Sequence, residues 1–152
     1  MVKGKRKMVN GQSLFEVVVA IAISALIIVT IVSLVSNSLR NATFSKNNSQ
    51  AASYGQQATE WVRSERDNDI AAFVTHATTS IWCFKDLTWS ITGACPSNQN
   101  IPDTPFYREG HFTSSLVSGK TVIEADIVVS WTDSQGLHQV TSATSFTDWR
   151  QR

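Results

Sequence analysis

The sequence lacks the motifs of the common catalytic and metal sites, and it has little proline. The 152-residue chain has three prolines, all after residue 95, and seven glycines. No HExxH, GxSxG or Walker sequence occurs, and the three histidines, His76, His111 and His138, are far apart. We therefore expect no enzyme activity, no bound metal and no cofactor.

Charge is scarce in a long stretch near the N-terminus. Between Lys7 and Arg40 the only charged residue is Glu16, and Val17 to Val35 contains neither glycine nor proline. As a helix, these 19 residues would extend about 28 Å, close to the ~30 Å hydrocarbon core of a bilayer. The stretch Val17 to Val35 is therefore predicted to be a transmembrane helix.

Basic residues flank this stretch unequally. Four come before it and two follow it nearby: Lys3, Lys5, Arg6 and Lys7, then Arg40 and Lys46. Lys and Arg resist translocation, so the bias predicts a single-pass protein with its N-terminus in the cytoplasm. Everything after about residue 40 would then lie outside.

The rest of the chain is acidic and rich in aromatic residues. Without the four leading basic residues, nine basic residues remain against 12 acidic ones, which argues against a specific nucleic-acid partner. All five tryptophans and six of the seven phenylalanines follow residue 40, enough to fill the core of one small domain. We expect Trp82, Trp89 and Trp131 to lie in this core rather than on a binding platform.

The two cysteines fall in this outer part. An even number of cysteines outside the cytoplasm favours a disulfide between Cys83 and Cys95, worth roughly 3 kcal/mol by loop closure. Two unpaired small hydrophobic residues are the alternative. A metal pair is less favoured, because no CxxC or Cys/His ligand spacing appears.

Periodicity predicts a helix followed by strands. One long helix is expected from about Ser13 to about Phe73, looser between Asn47 and Gly55, with Tyr54, Ala58 and Trp61 facing a sheet. Strands are then expected at Ser80–Phe84, Leu87–Ile91, Ile123–Trp131 and Leu137–Phe146, with a long loop at Gly93–Gly110 and a turn at Asp133–Gly136. The predicted fold class is α+β, a long helix packed on a small antiparallel sheet.

The segment Gly11-Gln12-Ser13-Leu14-Phe15-Glu16 before the apolar run resembles a processing site. A short basic leader ending in glycine, then a mature chain with glutamate at its fifth position, is similar to the type IV prepilins, including the pseudopilins of type II secretion. Gln12 stands where that family most often has an aromatic residue or Met. Softer similarities at Tyr54–Asp67 and Ser145–Arg150 point to a minor-pilin subgroup.

The resemblance implies a role for each of these residues. A prepilin peptidase would cut after Gly11, and the new Gln12 amine would be a candidate for N-methylation. Glu16 would pair with the N-terminal amine of a neighbouring subunit during assembly. The alternative for Glu16 is local, since an acid in the first turn of a helix interacts favourably with the helix dipole.

These expectations divide the chain into four parts and predict a pilin lollipop. Residues 1–11 would be the cleaved leader and 12–40 the transmembrane and filament-core helix. Residues 41–73 would continue that helix onto the globular head, and 74–152 would form the sheet domain with its loop at about 93–110.

The expected function is structural. The resemblance implies a subunit, and the softer matches a minor one, of a type IV pilus or related secretion pseudopilus. Its partners would be other pilin subunits, the inner-membrane assembly platform and, before assembly, membrane lipid. It would lie in the bacterial inner membrane and later in an extracellular or periplasmic filament, serving motility, adhesion, DNA uptake or secretion. The alternative is a membrane-anchored extracytoplasmic binding domain or enzyme that does not polymerise.

Overall fold

A computed structural model describes residues 12–117 and 120–147. The described residues form two helices and five strands, numbered here in chain order. The helices are α1 (Gln12–Asn68) and α2 (Ile70–Ala77), and the strands are β1 (Ile81–Cys83), β2 (Ile91–Thr92), β3 (Tyr107–Val117), β4 (Lys120–Asp133) and β5 (Gly136–Thr147).

The chain divides into two compact units between Phe44 and Ser45. The first unit contains the apolar part of α1. The second unit, which we call the head, begins at Ser45 and contains the rest of α1, α2 and all five strands.

Within the head, α1 packs on the sheet through small residues. Ala51, Gly55, Ala58 and Val62 recur at helical spacing and are buried. A Cβ built at Gly55 would lie 3.8 Å from Cγ2 of Val129 on β4, so the helix backbone approaches the sheet closely there. Of the three residues expected to face the sheet, Ala58 does so fully, and Tyr54 and Trp61 are half-buried beside it.

The helix ends earlier than expected and is regular where a looser stretch was predicted. Residues 47–55 are α-helical throughout. At Asp69 the backbone turns extended (φ −148°, ψ 98°), and its carboxylate accepts hydrogen bonds from the N–H groups of Ala71 and Ala72, each at 3.0 Å. Asp69 therefore caps a second helix, because its side chain satisfies N–H groups that lack helical partners. The prediction of one helix to about Phe73 was wrong.

The sheet is antiparallel, with strand order β2-β1-β3-β4-β5. The predicted β4–β5 hairpin is confirmed, and its register runs without interruption from Val122 opposite Thr147 to Asp133 opposite Gly136. Alternate β4 side chains are buried against the helix side, as the period of two requires. Those residues are Ile123, Ala125, Ile127, Val129 and Trp131.

Strand β3 was not predicted, and it shortens the expected loop. The loop was placed at Gly93–Gly110, but β3 begins at Tyr107, so the irregular connection after β2 ends at residue 106. Arg108, Glu109 and Gly110 made this strand hard to detect, since charged residues and glycine are depleted in strands. Gly110 is required by packing, because a Cβ there would overlap the ring of Phe84.

The first predicted strand pair exists in a shorter form. Trp82 pairs with Thr92 and Cys83 with Ile91, so the second strand begins at the last residue of the predicted Leu87–Ile91 segment. Leu87 has a positive φ of 50°, which is incompatible with a strand at that position.

Two groups of buried side chains fill the head. One lies between α1, α2 and the middle of the sheet, and the other lies between α1, the loop before β3 and the turn end of β4. Trp82 and Trp131 are buried, and Trp89 packs half-buried against Trp61 and Phe84. The expectation that Trp82, Trp89 and Trp131 belong to the core is confirmed.

Candidate functional site

The apolar part of α1 exposes large hydrophobic side chains on every side. Leu14 is 73% exposed, Phe15 72% and Leu34 68%, and Val, Ile and Leu residues between them are also exposed. A helix that is apolar all round is normally buried in protein or in lipid. By length and composition, α1 could cross a membrane.

Hydroxyl groups along this part of α1 bond to the helix itself. Ser24 donates to the carbonyl of Ala20 at 2.8 Å, Thr30 to that of Ile27 at 2.7 Å, and Ser36 to that of Val32 at 2.9 Å. In lipid, polar groups must find their hydrogen-bond partners within the protein. These three side chains therefore suit an apolar environment.

Glu16 is the acid in this apolar surface. It is exposed, and it lies four residues after Gln12, so the two positions share one side of the helix. Within the described part of the chain, Glu16 follows one turn after Gln12. Pairing of its carboxylate with an amine and interaction of that carboxylate with the helix dipole both stay predictions.

The predicted site residues lie partly at the edge of the described chain. Gly11 and the basic leader are outside the described residues, and Gln12 is the first residue of α1 as described. Cleavage after Gly11 and modification of Gln12 remain predictions.

The predicted disulfide between Cys83 and Cys95 is present, with 4.9 Å between the two Cα atoms. It joins β1 to the loop before β3. The same loop is fixed by two further contacts: the Cys95 N–H donates to Oε1 of Glu109 at 2.8 Å, and the Tyr107 hydroxyl donates to the carbonyl of Ser97 at 2.7 Å. The disulfide therefore holds a long connection against the sheet.

No protein-family model, curated protein or solved structure matches this chain. The long apolar helix, the antiparallel sheet and the disulfide form an architecture that is compatible with the type IV pilins. The specific resemblance in sequence lies in residues 4–35.

Arg108 is a structural residue that sequence inspection missed. It is 2% exposed, and its guanidinium donates to the carbonyl of Phe84 at 2.9 Å and to Oε1 of Gln57 on α1 at 3.0 Å. Burial lowers the pKa of Arg108 to about 10, opposed by weaker interactions with Tyr54 and Asp86, so the group stays charged near neutral pH. Nothing in the surrounding sequence, Tyr107 to Gly110, distinguishes it from a surface arginine.

Histidine and carboxylate groups form pairs rather than a larger site. His111 Nε2 lies 3.1 Å from Oε2 of Glu109, and His138 Nε2 lies 2.9 Å from Oδ1 of Asp133. Among residues 12–117 and 120–147, no three His, Cys, Asp or Glu side chains are arranged to hold a metal ion.

Proposed function

We propose that this chain is a structural subunit, of the minor class, of a type IV pilus or related secretion pseudopilus. It is cut after Gly11 by a prepilin peptidase and assembles through the N-terminal part of α1. The exposed apolar surface of α1 with Glu16 one turn from Gln12 is the observation that carries the proposal.

The apolar surface serves two environments in turn. Before assembly it lies in the inner membrane, where the basic leader keeps the N-terminus in the cytoplasm. In the filament the same surface packs against the helices of neighbouring subunits, with small residues such as Ala20 and Ala22 allowing close approach. The head, with its own core and disulfide, lies outside the cytoplasm.

Glu16 sets the axial register between neighbouring subunits in the filament. A lone carboxylate moved into an apolar bundle costs several kcal/mol unless a cation pairs with it. Cleavage before Gln12 creates such a cation, the new amine. In each subunit the Glu16 carboxylate is four residues from the Gln12 amine in sequence. Pairing of Glu16 in one subunit with the Gln12 amine of its neighbour therefore fixes the axial shift between the two subunits.

The test is a series of substitutions at Glu16 in cells that make the filament. Glu16→Ala and Glu16→Gln remove the charge, and we expect each to lower the amount of subunit in sheared filaments by at least about tenfold, equivalent to ~1.4 kcal/mol. Glu16→Asp keeps the charge and should retain more of the subunit. All three variants should still be cleaved after Gly11, and mass spectrometry of the N-terminus measures this cleavage.

Glu60→Gln is the matched control, because it neutralises an exposed glutamate in the head part of the same helix. It should leave incorporation unchanged. Normal incorporation of Glu16→Gln would contradict the proposal.

A membrane-anchored head that does not polymerise is the competing proposal. It is supported by the same exposed apolar helix, since length and composition do not separate an anchor from an assembly helix. It predicts that a prepilin peptidase leaves the chain uncut and that no subunit appears in sheared filaments.

A further inference from the structure

The two edges of the sheet differ in how they are protected. At one edge, β2 has only two residues, which leaves little backbone available for pairing. At the other edge, β5 has 12 residues, and its register with β4 contains no bulge. In the described part of the chain, no strand pairs with the outer side of β5.

Strand β5 also lacks the residues that usually block edge pairing. Gly136–Thr147 contains no Asp, Glu, Lys, Arg or Pro. Natural proteins protect long edge strands with charges, proline, bulges or a covering segment, because unpaired N–H and C=O groups attract other strands. A long edge without these features is suited to receive a strand.

The hairpin register shows which backbone groups face outward. Asp133 and Gly136 enclose a two-residue turn and so form its closing hydrogen-bonded pair. Alternation then directs the N–H and C=O groups of every second β5 residue away from β4, beginning at Leu137. These outward residues are Leu137, Gln139, Thr141, Ala143, Ser145 and Thr147, and their side chains are exposed.

The exposed face beside this edge is acidic. Glu124 lies opposite Ser145 and Asp126 opposite Ala143 in the register, and both carboxylates are exposed. Together with Thr144 these residues line a shallow depression of about 310 Å³. The short side chains of Ala143 and Ser145 leave the carboxylates open from the side of the edge.

We propose that the β5 edge binds an extended segment of another protein that carries lysine or arginine at alternate positions. The backbone of the segment would continue the sheet by pairing with the outward groups of β5. Its basic side chains would cross Ala143 and Ser145 to reach Glu124 and Asp126, about 10 Å away at two strand spacings. This interaction is separate from the filament contacts at Glu16.

The test uses the full chain in zwitterionic detergent micelles and a short synthetic peptide in which lysine alternates with valine. Binding is measured by fluorescence anisotropy, and amide hydrogen exchange is read residue by residue with and without the peptide. We expect saturable, salt-sensitive binding and slower exchange at the outward amides, from Leu137 to Ser145. Exchange at the inward β5 amides, which already bond to β4, should change less.

Two control peptides separate pairing from simple charge attraction. One replaces each lysine by glutamate, and the other has the same composition with its lysines grouped at one end. Both should bind at least about tenfold more weakly. Equal binding of the three peptides, or binding without slower exchange in β5, would overturn the proposal.

Substitutions in the head provide a second test. Ala143→Pro removes an outward N–H while leaving β4 hydrogen bonds in place, and it should weaken peptide binding by roughly tenfold. Glu124→Gln with Asp126→Asn should remove most of the salt dependence. Formation of the Cys83–Cys95 disulfide and an unchanged circular dichroism spectrum confirm that each variant folds.

The same exchange experiment tests pairing between copies of the chain. If outward β5 amides are already slow to exchange in the free protein, and become faster on dilution, β5 pairs with a second copy and the proposal of a different partner is overturned. Because no substitution here touches Glu16, failure of peptide binding leaves the proposed filament role to its own test.

Discussion

At the scale of single residues, Arg108 ties three segments of the head together. Its guanidinium bonds to Phe84 after β1 and to Gln57 on α1, while its backbone lies in β3. We expect Arg108→Met to lower the free energy of unfolding by roughly 2 kcal/mol, because the buried carbonyl of Phe84 would lose its donor. Chemical denaturation of the detergent-solubilised chain measures this.

Lys85→Met, a change in a half-buried neighbour, is the matched control for Arg108→Met. It should alter stability by no more than about 0.5 kcal/mol. A similarly small effect of Arg108→Met would show that the bonds of Arg108 contribute little to the fold.

Asp133, at the β4–β5 turn, makes the stability of the fold depend on pH in the acidic range. The Gln135 N–H, and then His138, donate to its carboxylate and lower the pKa of Asp133. A lowered folded pKa stabilises the fold above the unfolded pKa, about 3.9, and this contribution is lost as the pH falls through the folded value. The unfolding temperature should therefore fall on acidification below about pH 4.

Asp133→Asn should reduce that acid dependence while keeping an acceptor for Gln135. The measurement is the unfolding temperature of wild type and variant across the acidic range. Glu124→Gln, which removes an exposed carboxylate elsewhere on β4, is the control and should follow wild type more closely. Identical acid profiles for wild type and Asp133→Asn would contradict the assignment.

At the scale of elements, the disulfide holds the long connection before β3. Replacing both Cys83 and Cys95 with Ser should lower the free energy of unfolding by about 3 kcal/mol, because the open loop gains freedom in the unfolded chain. Amide hydrogen exchange should become faster, most of all in residues 93–106. Reductant should lower the unfolding temperature of the wild type and leave that of the double Ser variant unchanged.

Elements with strong periodicity were predictable from the sequence, and those set by tertiary contacts were not. Continuous apolar residues predicted the helix through Val35, and alternation from Ile123 to Trp131 predicted β4. Strand β3 was missed because Arg108 and Gly110 fit only in the presence of Gln57 and the Phe84 ring. The end of α1 was missed because the capping role of Asp69 depends on its backbone conformation.

At the scale of the whole molecule, the two units suit different surroundings. The apolar part of α1 exposes hydrophobic side chains, while the head, from Ser45 onward, encloses its own core. The sequence identified the candidate site at Gly11, Gln12 and Glu16 through a local motif. It did not identify the β5 edge, because an unprotected edge is recognised only when the strand order is known.

The central proposal, a processed filament subunit, is tested most directly by the N-terminus of the chain in its assembled form. Filaments sheared from cells that express the chain with its prepilin peptidase and sibling subunits are analysed by intact-mass and peptide mass spectrometry. The proposal predicts a chain in the filament fraction that begins at Gln12, with or without a methyl group. A chain that stays in the membrane fraction with residues 1–11 attached would contradict it.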